Sequence, residues 1–222
     1  MKRILIYVEG QTEETFIKTV LHPHLYRLNL YLIPTIATTK YILGGPDHKG
    51  GYVPYAKAKR EILRLLGDTD AIAVTTVLDF YGIPGDFPGK DDIPNANCYE
   101  RVKHLEAKLV EDISRRKFIP YFSLHEFEAL LFSSPDQIAK AFPDRDVRIQ
   151  IHRVTTGVQS PEEINEGPAT HPSARLKEVI PAYRKLAHGP LIVQRIGLET
   201  LRNRCPHFKG WLSKLENLAD RA

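Results

Sequence analysis

The chain has 222 residues, 42% hydrophobic and 26% charged. That fits one globular domain with an appended subdomain and excludes a collagenous chain, a disordered tail and a disulfide miniprotein. Net charge is +4 but uneven: residues 1–70 carry +3, residues 71–144 carry −4 and residues 145–222 carry +5. An acidic middle between basic flanks is the distribution a metal-dependent phosphodiester site needs, with carboxylates for cations and Lys/Arg for a polyanion, but charge alone favours an ordinarily solvated surface of uneven charge.

In chain order, residues 3–8 form a short β-branched and aromatic run. It begins like a signal peptide, but Glu9 ends it after six residues with no small-residue cleavage site, so it reads as a buried strand. Thr12 then caps a helix with Glu13 and Glu14 in its first turn and Phe16, Ile17, Val20 and Leu21 on its apolar side; Pro23 limits it. A second strand is expected over 30–38, then a glycine-rich loop over 44–51 and a helix over 55–66. Residues 71–78 are almost continuously apolar, the mark of a central parallel strand. A Gly/Pro/Asp loop over 80–97 leads to a helix over 99–115. A fourth strand over 118–124 and a helix starting at 125 follow.

This alternation predicts an α/β sheet of about four strands with right-handed crossovers. From about residue 133 the pattern changes. Residues 143–173 read as loops, and three helices follow over 173–187, 191–204 and 207–219. The expected organisation is an α/β domain over 1–132 and a loop-rich, then helical extension over 133–222 packed on it. No run approaches the roughly 18 apolar residues of a transmembrane helix, and Cys98 and Cys205 lack zinc spacing and secretory context, so a cytoplasmic protein with reduced thiols is expected.

Ligands of open α/β sheets gather at the carboxyl ends of the strands. The first strand is followed by Glu9 and Glu13, the third by Asp79 and, in its loop, Asp86, and the fourth by His125, Glu126 and Glu128. An acid ending a buried apolar strand needs a partner, which singles out Glu9 and Asp79. Glu126 and Glu128, two apart, are not expected to share one helix face. Mg²⁺ or Mn²⁺ is the cation such oxygens suit. The chain has no G-x-G-x-x-G after the first strand, no Walker A sequence, no G-x-S-x-G and no H-E-x-x-H.

The stretch Val8-Glu9-Gly10-Gln11-Thr12-Glu13 resembles the first motif of the Toprim (topoisomerase–primase) domain, in the V-E-G-x-T-E form of the overcoming-lysogenization-defect nucleases. Val77-Leu78-Asp79 is similar to the start of the Toprim D-x-D motif. The whole chain resembles a small, uncharacterised bacterial Toprim-related family, through Asp79-Phe80-Tyr81-Gly82, residues 125–132, and a block running from Ile196-Gly197-Leu198 to Cys205-Pro206-His207-Phe208 and Trp211. The resemblance implies a Toprim-like Rossmann-type sheet over about 130 residues. It also implies a Mg²⁺- or Mn²⁺-dependent nuclease acting on DNA or RNA, with Glu9 and Asp79 catalytic and Glu9, Glu13, Asp79 and Asp86 as metal ligands. His125 and Glu126 are a possible additional site. Tyr81 stands where the second acid of D-x-D belongs, and Asp86 or Glu126 is the expected replacement. An AAA- or ABC-type ATPase partner and a setting in phage defence are implied too. The alternatives are a non-catalytic Toprim-shaped subunit of such an ATPase and a phosphohydrolase of small nucleotides; the chain is read as monomer or dimer.

Overall fold

The computed structural model describes residues 1–37, 53–164, 167 and 169–220. The glycine-rich loop over 44–51 lies outside the described residues. The protein is a mixed α/β fold built on a parallel sheet of five strands. In chain order these are β1 (Lys2–Val8), β2 (Leu30–Ile36), β3 (Ala71–Asp79), β4 (Phe118–Ile119) and β5 (Phe122–Ser123), with spatial order β2-β1-β3 and then both β4 and β5 against β3. The chain steps from β1 to β2 on one side and returns past β1 to β3 on the other. The topological switch point therefore lies between β1 and β3, where such sheets open a crevice at their carboxyl edge.

Period-two patterning explains why β1 is buried on both faces. Ile4, Ile6 and Val8 enter one core, and Leu5 and Tyr7 enter the other. The second core is covered by α3 (Tyr55–Leu66) and α4 (Cys98–Ile113), through Ala58, Ile62, Leu66, Val102, Leu105 and Leu109. The first is covered by α1 (Gln11–Phe16), α2 (His22–Tyr26) and the C-terminal helices. These last are α5 (Pro135–Ala141), α6 (Arg145–Val154), α7 (Pro172–Val179), α8 (Lys185–Ile196), α9 (Leu198–Arg204) and α10 (Pro206–Glu216).

Trp211 of α10 reaches the sheet itself. Its Nε1 donates to Thr75 Oγ1 at 2.9 Å, and its ring stacks on Tyr121 with centroids 4.3 Å apart. Glu162, only 1% exposed, accepts from the backbone N–H groups of both His207 and Phe208 at 2.9 Å. A buried carboxylate thus caps the first turn of α10, where the helix dipole favours negative charge.

Four expectations are corrected. Pro23 does not end the first helix. A π turn over Ile17–Leu21, with His22 N donating to Ile17 O, joins α1 to α2, and the wider turn absorbs the missing N–H and bulk of the proline. The strand expected over 118–124 is split at Pro120, which raises the count from about four strands to five. There the Thr76 hydroxyl fills the gap, accepting from Tyr121 N and donating to Tyr121 O, both at 2.9 Å. The segment over 143–173 is not all loop: α6 is capped by Asp144, whose side chain accepts from Asp146 N, and Val147, Ile151 and Val154 pack on the core. The helices expected over 173–187 and 191–204 divide elsewhere: α7 ends at Val179, α8 starts at Lys185, and α8 stops before Gly197, whose φ of 77° is the left-handed region that favours glycine. No helix among the described residues is long and apolar enough to cross a membrane.

Candidate functional site

At the switch point β1 and β3 run in register, Val8 beside Val77, so the residues that follow them meet. Glu9 N donates to Val77 O, and Glu9 Oε2 accepts from Asp79 N, both at 3.3 Å. One turn into α1 the two adjacent acids part. Glu13 points inward and is 2% exposed, whereas Glu14 points outward and pairs with Lys18 at 2.7 Å. Asp79, at the end of β3, uses Oδ1 to accept from Phe127 N at 2.9 Å. Phe127 opens a 3₁₀ turn, Phe127–Ser133, and the tighter winding turns the fully buried Glu128 toward the same point, where its Oε1 accepts from the Tyr183 hydroxyl.

A cation occupies the centre. Lys185, the first residue of α8, places Nζ 3.5 Å from Glu13 Oε1, 3.5 Å from Asp79 Oδ2 and 3.4 Å from Glu128 Oε2. No two of those oxygens can therefore be further apart than two such contacts end to end, about 7 Å. Helix α8 gets this close because Gly189 faces α1 and the 3₁₀ turn. A Cβ there would meet the Tyr183 hydroxyl at 3.2 Å, Phe127 at 3.5 Å and Thr12 at 3.6 Å. Beside the cluster a cleft of about 260 Å³, bordered by Tyr7, Glu9, Asp79, Tyr81, Ile83 and Phe87, reaches Glu9 and Asp79 from solvent.

The electrostatics follow from burial. Burial raises the pKa of Asp79 well above the usual carboxylate value, Lys185 opposes it, and the neighbouring acids Glu9, Glu13 and Glu128 add to the rise. Glu128 and Glu9 are raised for the same first reason, again opposed by Lys185. For Lys185, burial alone would lower the pKa, but Asp79, Glu128, Glu13 and Glu9 together hold it well above normal, so the ammonium stays charged. The folded chain thus binds more protons at the three raised carboxyls than the unfolded chain does. The cluster costs stability as pH rises from the ordinary carboxylate range through the raised one, and a cation that replaces those protons recovers it.

The other expected residues sit elsewhere. Asp86 is exposed and accepts from Tyr55 N at 2.8 Å, which caps the start of α3. Its replacement by alanine should lower the melting temperature slightly, for a cap worth about 1 kcal/mol, and leave any divalent-ion affinity unchanged; a thermal melt and a calorimetric titration check the pair. Glu126 lies in extended backbone before the 3₁₀ turn. It accepts from Ser173 N at 2.8 Å and contacts the Ser173 hydroxyl and His171 Nδ1, each at 3.1 Å, so it fixes the start of α7. His125 is buried in left-handed backbone with its ring edge-on to Phe80. Tyr81 stacks on His171, with centroids 4.7 Å apart.

Sequence reasoning brings Glu128 to the strand edge without giving it a role, and does not reach Lys185 at all. Glu128 carries a signal, since it is the one charge inside the apolar run Phe127-Glu128-Ala129-Leu130-Leu131-Phe132. Lys185 carries none: in the sequence it falls in the last turn of the helix expected over 173–187, where a basic residue simply suits the dipole.

Among the described residues no three His, Cys, Asp or Glu side chains stand in metal-ligand geometry, and the Lys185 ammonium lies between Glu13, Asp79 and Glu128. The donor set itself fits a hard dication. It consists of carboxylate oxygens only, and Glu13 Oε1 and Glu128 Oε2 are buried with no hydrogen-bond partner.

A family model described as a domain of unknown function, DUF4276, matches residues 8–216. No curated protein matches the chain. Among solved structures, the C-terminal region of the Burkholderia pseudomallei OLD protein is similar over 99% of both chains at 14% identity, with a TM-score of 0.49. The C-terminal region of the Xanthomonas campestris pv. campestris OLD protein is similar over 99% of this chain and 96% of the other, at 15% identity and a TM-score of 0.45. Likenesses this distant carry no functional argument, so the site must supply it.

Proposed function

The chain belongs to the DUF4276 family, and from that premise we propose that it is a divalent-metal-dependent, Toprim-like nuclease cleaving phosphodiester bonds in DNA or RNA. The observation that carries the reading is the convergence of Glu13, Asp79 and Glu128 on one cation position at the switch point of a parallel sheet, with Glu9 beside them on the Asp79 N–H. The V-E-G-x-T-E stretch supplies two of these four acids and supports the Toprim assignment.

Glu13, Asp79 and Glu128 would hold Mg²⁺ or Mn²⁺, with Glu9 at the border of the cleft. When bound, the ion supplies charge stabilisation at a phosphoryl oxygen and a more acidic water. The chain's own residues do the rest. Glu9 is the least buried of the four, and among the described residues its Oε1 has no hydrogen bond, so that atom is placed to take a proton from an attacking water. The Asp79 N–H holds the other Glu9 oxygen, and Phe127 N holds Asp79, so both carboxyls are oriented by backbone. The positive charge carried by residues 145–222 suits a polyanionic substrate.

The central Lys185 favours one competing reading, a non-catalytic subunit, such as one serving an ATPase, in which the ammonium is a permanent structural counter-ion. Calorimetric titration with Mn²⁺, paired with a cleavage assay on single- and double-stranded substrates, separates the two. Stoichiometric Mn²⁺ binding and metal-dependent cleavage are expected. A chain that binds no Mn²⁺ and cuts nothing is the structural subunit.

A further inference from the structure

We propose that Lys185 is a tethered, displaceable occupant of the divalent-ion position: it neutralises the carboxylates while no metal is bound and leaves their centre when one enters. This rests on reading the cluster as a metal site. Three observations carry it.

The first is position. One ammonium nitrogen stands 3.4–3.5 Å from oxygens of three different carboxylates supplied by α1, β3 and the 3₁₀ turn. A lysine forming an ordinary ion pair would approach one of them closely, since charge-assisted N–H···O contacts run at about 2.7–2.9 Å. Lys185 instead sits between all three, as a coordinated ion does.

The second is the looseness of these contacts. Glu13 Oε1 and Glu128 Oε2 face the ammonium, yet each lacks a hydrogen bond. Two strong acceptors are left under-used at the centre of a buried site. A dication that draws oxygens to about 2.0–2.1 Å uses them far better. Ammonium and dication cannot share the centre, because two cations within about 4 Å repel strongly at low dielectric.

The third is an exit. The Lys185 side chain is 38% exposed although its carboxylate partners are 0–8% exposed. It is attached at the first residue of α8, and its four-carbon stem can swing outward without unwinding the helix. The residues that hold α8 in place, Gly189 against Thr12 and Phe127, and Tyr183 on Glu128, need not move.

The test is calorimetric titration of Mn²⁺ into the full chain and into Lys185→Met. With the competitor gone, Mn²⁺ should bind the variant about tenfold tighter or better. A gain below about threefold, or a loss, overturns the proposal. Wild-type protein supplies a second readout that needs no variant to fold. Acetic anhydride labelling, read by peptide mass spectrometry, should rise several-fold at Lys185 when Mg²⁺ is added and stay constant at Lys18, which pairs with Glu14 outside the cluster. Unchanged or reduced labelling of Lys185 also overturns it. If both proteins bind Mn²⁺ equally, the lysine proposal falls and the metal site stands. If neither binds, the metal site falls and takes this proposal with it.

Discussion

Replacing Asp79 by asparagine, or Glu9 by glutamine, should reduce Mn²⁺-dependent cleavage about a hundredfold or more while the fold persists. Each change removes one unit of negative charge from the point where the ion would be held, without removing volume. Loss of a charged group aimed at a catalytic centre has consequences of that order. Asparagine is the informative replacement at position 79. Its amide oxygen can still accept from Phe127 N, whereas alanine would leave that buried N–H unpaired at a cost of about 1–3 kcal/mol and mix a folding defect with a catalytic one. Glu14→Gln is the internal control. Glu14 stands one residue from Glu13 but faces outward to Lys18, so its loss should change cleavage less than about twofold. Circular dichroism melts of all three variants establish that the fold is intact. Cleavage by Asp79→Asn within tenfold of wild type would remove the carboxylate cluster from the mechanism.

What the sequence discloses here follows from how local each signal is. Glu9 and Asp79 are legible because a charged residue at the end of an apolar strand needs a partner, and the strand order alone brings both to one edge. Glu13 and Glu14 are adjacent acids in one first turn, and only the facing of α1 decides that Glu13 enters the site. The position of Asp86 depends on the start of α3, an element thirty-one residues earlier whose first amide needs an acceptor. A glycine- and proline-bound loop acid looks alike whether it caps a helix or binds an ion. Lys185 is the extreme case. It lies 106 residues from Asp79, in a helix that reaches the sheet only through tertiary packing, and nothing in its neighbours marks it. The helices after residue 133 are read with the same difficulty. α6 is short and charged outside, and Val147, Ile151 and Val154 stand out only once the helices they pack against, α5 and α7, are known. Pro120 and Pro23 show the converse. Each is a visible breaker, but whether the chain stops, splits or widens depends on what the fold offers in exchange: the Thr76 hydroxyl in one case, a π turn in the other.

The C-terminal helices should be indispensable to folding, and a chain ending at residue 172 should fail to give a soluble, cooperatively unfolding monomer. Leu176, Ile192, Val193, Ile196, Leu201, Phe208, Trp211, Leu212, Leu215 and Leu218 are all buried in the core that contains Ile4, Ile6, Val8 and Val77 of the sheet. Each such side chain stabilises the fold by about 1.5–3 kcal/mol, so their joint loss exceeds the roughly 5–15 kcal/mol net stability of a typical domain. Polar losses act in the same direction. Glu162 would keep its buried carboxylate without the His207 and Phe208 amides, Thr75 would lose the Trp211 indole, and Glu13, Asp79 and Glu128 would lose their ammonium. A milder probe tests the same interface in an otherwise whole chain. Trp211→Ala removes the indole that both stacks on Tyr121 and donates to the central strand, and should cost about 3–5 kcal/mol in denaturant unfolding. Size-exclusion chromatography of the truncated chain and urea melts of Trp211→Ala give independent readings. A truncated protein that runs as a monomer and melts in a single sharp transition would show that the sheet closes its own core and that the helical half is an accessory.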